Sequence, residues 1–211
     1  MEIISTTPIS IRPNIASNDI LLWVEDSHGV FSIRSAWDFL RERRPEVEWY
    51  RSVWFAKAVP RHAFILWLAT RGALLTQDKF FAYGSIPAMR CVFCGGDCED
   101  IPHLFFECTY TFQVWSTLLQ KCRLHVRRWS WEDTIRWLGH FHGQQLRGWV
   151  VRIMVVTAIY VIWRDRNARM HGDSPHPESV IIHDIVLILC NHVNSFSGLV
   201  LSPSNRWFHQ S

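Results

Sequence analysis

The sequence contains very little lysine and shows no strong excess of one charge. Lys57, Lys79 and Lys121 are the only lysines among 22 basic residues, and 19 acidic residues leave a formal net charge of +3. A surplus this small does not identify a nucleic-acid-binding protein from overall electrostatics. Any contact with phosphate must come from local groups of arginine, whose guanidinium suits bidentate phosphate contacts.

Long hydrophobic runs and a secretory signal are also missing. The most apolar stretch, 149–163, is shorter than the roughly 20 residues of a spanning helix, and Arg152 interrupts it, so we expect no membrane span. The start of the chain has no basic stretch leading into an apolar run. We therefore expect an intracellular protein, nuclear or cytoplasmic, whose six cysteines are metal ligands or core residues rather than disulfides.

Signatures of common active sites are absent as well. We find no glycine-rich phosphate loop, no GxSxG turn, no HExxH helix and no polymerase carboxylate pair. A ribonuclease H fold needs acids on a β-sheet, whereas the C-terminal half has helical periodicity. His140 and His142 form an HxH pair, but no nearby carboxylate or cysteine completes a second metal site. We expect that the chain is not an enzyme.

What the sequence does have is apolar and aromatic residues in helical periodicity. Hydrophobic residues make up 48% of the chain, with 12 Trp and 13 Phe, which favours a packed core over disorder. The spacing predicts helices over 32–43, 49–58, 60–72, 77–83, 110–122, 131–141 and 144–170, and a last one from Pro177 to about 197. Two short apolar runs around Asp26–Gly29 predict a β-hairpin.

The most specific motif lies between residues 91 and 108. Cys91, Cys94, His103 and Cys108 follow the spacing C-x2-C-x8-H-x4-C. Two thiolates separated by two residues can hold one ion from a tight turn, and Gly95-Gly96 supplies the backbone freedom for that turn. About one helical turn brings His103 and Cys108 toward the same ion. Such a closed tetrahedron leaves no open position for water and predicts one structural Zn²⁺.

Two alternatives to this ligand set remain open. The motif could be a CxxC turn beside an unrelated histidine and a core cysteine. Cys98 could also replace Cys94 or His103 as a ligand. Because a C-x3-C turn followed by two acids is a poorer turn, we treat Cys98 as a spare thiol.

Further motifs accompany the cysteines over roughly residues 20 to 120. They are Leu22-Trp23, GVFSIRSAW (29–37), WFAKAVP (54–60), FILW (64–67), LTQD (75–78), HLFFEC (103–108) and Val114-Trp115, with IWRDRNAR (162–169) downstream. Together they resemble the zinc-binding domain that follows the reverse transcriptase in plant LINE-type (non-LTR) retrotransposon polyproteins. By that resemblance, Cys91, Cys94, His103 and Cys108 bind one zinc ion.

The resemblance also implies a function. Such a domain is expected to hold RNA or single-stranded DNA near a reverse transcriptase. The sequence departs from a complete element because it contains no polymerase domain, so we expect no polymerase activity and no autonomous retrotransposition. Two other readings stand beside this one: a structural or protein-interaction module in which zinc only stabilises the fold, and a nonfunctional element fragment.

The predicted fold is mainly α, a helical bundle with a small N-terminal β-hairpin and an inserted zinc knuckle. We divide the chain into a flexible leader (1–18), the zinc-binding domain (19–122), a C-terminal helical region (123–198) and a frayed tail (199–211). Three arginine clusters are weak candidates for phosphate contacts, although a solvated or helix-capping role is at least as common for such residues. They are Arg41, Arg43 and Arg44; Arg123, Arg127 and Arg128; and Arg164, Arg166 and Arg169.

Overall fold

A computed structural model describes residues 21–42, 45–86, 88–96, 99–141 and 146–196. Over these ranges the secondary structure is helical and no strand is found, so the prediction of a mainly α fold is confirmed at that level. The chain divides into two compact units, residues 1–45 and 46–211. The predicted leader (1–18) and tail (199–211) lie outside the described residues.

The first unit contains α1 (Ile33–Leu40). Ser32 caps this helix, because its hydroxyl accepts the Ser35 N–H at 3.0 Å while the Ser35 hydroxyl accepts the Ser32 N–H at 3.2 Å. This reciprocal capping box satisfies two backbone donors that the first turn would leave free. The Trp23 ring packs edge-on against Phe31 and Phe39, with ring centroids 5.2 and 6.2 Å apart.

The predicted β-hairpin is wrong for the residues described here. Between Trp23 and Gly29 the chain forms a closed loop, in which the Trp23 N–H donates to the Gly29 carbonyl at 2.9 Å and the Gly29 N–H to the Asp26 carbonyl at 2.9 Å. Gly29 adopts a φ of 69°, which a glycine reaches without strain. These local hydrogen bonds close the turn, and no ladder of cross-strand bonds extends from it over residues 21–33.

The second unit holds seven more helices within its described residues. They are α2 (Tyr50–Val53), α3 (Pro60–Thr70), α4 (Gln77–Ala82), α5 (Thr109–Lys121), α6 (Trp131–Gly139), α7 (Leu146–Met170) and α8 (Glu178–Asn194). A π-helical turn, His103–Glu107, directly precedes α5. The helix predicted over 49–58 is shorter, because the chain turns at Phe55–Ala58 and Lys57 takes a φ of 75°.

Local sequence explains where these helices begin and end. Pro60 occupies the first turn of α3, where its missing N–H has no helical acceptor to lose. The Ser130 hydroxyl accepts the Asp133 N–H at 3.0 Å and caps α6. Gly72 and Gly84, with φ of 61° and 70°, follow α3 and α4 and allow the chain to leave the helix in the left-handed region.

The core of the second unit is built around α7. This helix packs against α3 and α8, α5 packs against α8, and α2 packs against α6. Residues of α7 are buried on all sides between Val150 and Ile162, as their apolar sequence predicts for a central helix. Among the described residues, no helix is long and apolar enough to span a membrane.

Candidate metal centre

Four side chains converge within residues 91–108, which precede α5 and which we call the knuckle. The Sγ atoms of Cys91, Cys94 and Cys108 and a ring nitrogen of His103 all lie within 4.8 Å of one another. Cys91 Sγ is 3.8 Å from Cys108 Sγ, and Cys94 Sγ is 3.4 Å from His103 Nε2. Tetrahedral zinc, with Zn–S near 2.3 Å, separates two sulfurs by about 3.8 Å. The cluster is therefore suited to binding one zinc ion.

A tight turn places the first two cysteines. The Gly95 N–H donates to the Cys91 carbonyl at 2.8 Å, and the Cys91 N–H donates to the Gly96 carbonyl at 2.8 Å. Gly95 sits at a φ of 73°, a backbone conformation that strains residues carrying a Cβ. The turn folds Cys94 back toward Cys91, so both sulfurs face the same point.

The π-turn places the other two ligands. The Cys108 N–H donates to the His103 carbonyl at 2.8 Å, a hydrogen bond that spans five residues instead of the four of an α-helix. This wider turn brings residues five apart onto one side, which the x4 spacing between His103 and Cys108 requires. Leu104, Phe105 and Phe106 are buried between them and anchor the turn in the core.

Neighbouring polar groups hydrogen-bond to the start and the middle of the π-turn. The Asp100 carboxylate accepts the His103 N–H at 2.8 Å, and the Trp115 indole N–H donates to the Phe105 carbonyl. The second bond satisfies a carbonyl within a turn whose helical hydrogen bonding is irregular. The sequence predicted that one turn would join the two ligands, but it did not predict the π form.

The cysteine pair Cys91 and Cys108 is buried, whereas Cys94 is exposed and His103 half-buried. The hydrogen bond between the two buried sulfurs raises the pKa of the Cys91 thiol and lowers the pKa of Cys108. Zinc binds thiolate and neutral imidazole, so metal binding competes with protons at all four groups. A closed set of three sulfurs and one imidazole gives the ion a structural role.

The sequence did not predict a buried ion pair between the knuckle residue Glu99 and Arg166 of α7. The Glu99 carboxylate, fully buried, accepts from Arg166 Nε at 3.0 Å and Nη2 at 2.5 Å. It also accepts the Gln77 backbone N–H at 3.1 Å, at the N-terminus of α4. Glu99 thus joins the knuckle to both α4 and α7. The sequence offered no signal, because the acid and the arginine stand 67 residues apart.

A stacked set of rings makes a second connection between the knuckle and α7. Phe93, inside the CxxC turn, stacks on Tyr110 with ring centroids 4.7 Å apart. The Arg169 guanidinium lies 4.5 Å from the Phe93 ring centroid and 4.7 Å from that of Tyr110. The buried Asp165 carboxylate accepts from Arg169 Nε at 2.8 Å and fixes the guanidinium there.

The structure places the predicted arginine sites in different surroundings. Arg41 pairs with Asp38 and Arg164 with Asp184, each at 2.7 Å on the surface. Arg166 and Arg169 are largely buried in the pairs described above. Arg123, Arg127 and Arg128 are exposed in the segment between α5 and α6. The remaining predicted residues Arg43 and Arg44, with His142 and Cys98, lie outside the described residues.

Comparisons with known proteins agree with the metal cluster. Residues 31–115 match the family described as zinc-binding in reverse transcriptase, which confirms the resemblance inferred from the motifs. A putative ribonuclease H protein of Arabidopsis thaliana is 24% identical over 111 residues, which cover 51% of this chain and 18% of that protein. The chain thus spans less than a fifth of the relative's length. No solved structure matches the chain.

Proposed function

Because residues 31–115 match a reverse-transcriptase zinc-binding family, we propose that the chain is a zinc-dependent, nucleic-acid-binding accessory module of a retroelement polyprotein, without polymerase activity of its own. The observation that carries the proposal is the convergence of four ligand atoms inside the matched segment. Zinc there fixes the knuckle, and the basic residues of the second unit contact phosphate. RNA or single-stranded DNA is the partner.

The proposed coordination shell supports a noncatalytic role for the zinc. Four protein ligands leave zinc no open position at which to activate water or substrate. The ion therefore acts through folding, where binding of structural zinc contributes roughly 10 to 16 kcal/mol of apparent free energy in small knuckles.

A structural or protein-interaction module is the second candidate, favoured by the contacts around the knuckle. Glu99 and Phe93 connect the metal-binding segment to α4 and α7 through buried pairs and stacked rings. In this case zinc would hold helices together, and the exposed arginines would only keep the surface solvated.

Salt dependence of RNA binding separates the two candidates. A fluorescein-labelled single-stranded RNA of mixed sequence is titrated with the zinc-loaded chain, and anisotropy is followed. If about three phosphates are contacted, affinity falls about 20-fold between about 50 and about 200 mM salt. A chain that carries one zinc but binds no RNA at the lower salt would contradict the nucleic-acid proposal and leave the structural module.

A further inference from the structure

The segment between α5 and α6, residues 122–130, presents arginines in an unusual setting. The Arg127 guanidinium lies 3.9 Å from the Trp129 ring centroid, and that of Arg128 lies 4.3 Å from the Phe112 ring centroid. Arg128 Nη1 also donates to the Glu107 carbonyl at 3.1 Å. Both arginines are exposed, and each places its guanidinium carbon over an aromatic ring.

Charge distinguishes this segment from the other arginine clusters. Arg41, Arg164, Arg166 and Arg169 all pair with carboxylates. In the part of the chain that the structure describes, no ion pair includes Arg123, Arg127 or Arg128. The first turn of α6 carries two acids, Glu132 and Asp133, and Asp133 is already paired with Arg136 at 3.0 Å.

More positive charge lies where this segment begins, at the end of α5. Arg147 Nη2 donates to the Arg123 carbonyl at 3.4 Å, so the first turn of α7 brings its guanidinium to this segment. Lys121, the last residue of α5, is also exposed. We call this set (Lys121, Arg123, Arg127, Arg128 and Arg147) the basic segment.

We propose that the basic segment is the surface on which this chain binds the phosphates of single-stranded RNA. The proposal rests on the proposed function and names where it is carried out. The contacts with Trp129 and Phe112 restrict the two guanidinium groups before binding, so less conformational entropy is lost when they contact phosphate. All five residues of the basic segment lie beyond residue 115, where the family match ends.

An apolar recess beside the arginines favours a single strand over a duplex. Phe112, Trp129 and Trp137 line it together with Arg127. An unpaired base can contact the parts of these half-buried rings that the arginines leave uncovered, whereas a duplex keeps its bases stacked inside. The Trp129 indole N–H is buried and has no hydrogen-bond partner among the described residues.

The test compares two double variants of equal charge change. Arg127→Gln/Arg128→Gln removes the stacked arginines, while Arg51→Gln/Arg136→Gln removes two exposed arginines that pair with Glu46 and Asp133. Labelled single-stranded RNA and an RNA duplex of the same length are titrated with each zinc-loaded protein. Zinc stoichiometry and circular dichroism check that each variant is folded.

We expect Arg127→Gln/Arg128→Gln to lose about tenfold in affinity for the single strand and to lower the salt slope by about 1.4, or about 0.7 per phosphate contact. The control pair should lose less than about twofold. Trp129→Leu should weaken the single strand by about fivefold or more and the duplex much less.

Different failures point to different claims. If the wild-type protein binds RNA and the two double variants lose equal affinity, the basic segment is not the RNA-binding surface. The proposed function would still stand. Duplex binding as tight as single-strand binding would overturn the choice of a single strand. No binding by folded, zinc-loaded wild type would overturn the proposed function and this inference together.

Discussion

At the scale of single residues, the buried pair of Glu99 and Arg166 shows that one arginine proposed for phosphate contact has a structural role instead. Arg166 belongs to a cluster that the sequence offered for phosphate, yet its guanidinium is buried against a carboxylate. Taking one partner of such a pair away leaves an uncompensated buried charge. The residue therefore carries fold stability, and the nucleic-acid proposal does not rest on it.

This pair gives a stability prediction. Arg166→Met should lower the free energy of unfolding of the zinc-loaded chain by about 3 to 5 kcal/mol, because Glu99 is then buried without its partner. Glu99→Gln added to Arg166→Met should recover part of that loss, since the buried charge is gone. Urea denaturation at saturating zinc measures both. As a control, Arg136→Gln breaks an exposed pair and should cost less than about 1 kcal/mol. A loss for Arg166→Met no larger than the control would contradict the argument.

His62 gives a prediction about pH. Its ring is buried, stacks on Tyr160 at 4.2 Å and lies 3.2 Å from the Thr157 hydroxyl through Nδ1. Burial, with a smaller contribution from Arg61, lowers its pKa from 6.5 to about 4. As the pH is lowered, His62 thus binds a proton near pH 6.5 in the unfolded chain but only near pH 4 in the folded chain. The free energy of unfolding is therefore highest above about pH 6.5. It falls by about 3 kcal/mol as the pH is lowered to about 4.

The measurement is the free energy of unfolding against pH at saturating zinc. His62→Asn, which retains a hydrogen-bonding group near Thr157 but does not titrate, should show a shallower fall between about pH 6.5 and about pH 4. Comparing slopes removes the common contribution of the metal ligands, which also take up protons in acid. Identical slopes for the two proteins would show that His62 is not held neutral by the fold.

At the scale of elements, local signals predicted most helices, and long-range contacts decided the rest. The Ser130 cap, Pro60 in the first turn of α3 and the apolar period of α7 are read from neighbouring residues, and helices are found there. The β-hairpin failed because hydrogen bonds within Trp23–Gly29 close the loop locally. The π form of His103–Glu107 was not predicted, because the spacing of two ligands does not distinguish a π-turn from an α-turn.

The contacts of the knuckle predict how far metal removal reaches. Phe93 and Glu99 connect the metal-binding segment to α4 and to the end of α7. Chelation of zinc should therefore raise amide hydrogen exchange over 91–108, in α4 and near 165–170, and lower the midpoint of thermal unfolding. The middle of α8, which packs on α7 and α5, should change least. Faster exchange confined to 91–96 would contradict the coupling.

At the scale of the whole molecule, the sequence predicted the candidate metal ligands but not the contacts that connect them to the helices. Spacing indicated the four residues with Cys98 left as an alternative, and the structure brings the four together. Their contacts with α4 and α7 could not be predicted, because Glu99 and Arg166, like Phe93 and Arg169, are distant in sequence and meet only through packing. The assignment of these residues as metal ligands remains a prediction for metal analysis.

The most direct test is the metal content of the purified chain, by native mass spectrometry and elemental analysis. We predict one zinc per wild-type chain, little or none in Cys91→Ser or His103→Ala, and one in Cys98→Ser. Wild-type protein without zinc after refolding with the metal, or a loss in Cys98→Ser equal to that in Cys91→Ser, would contradict the account.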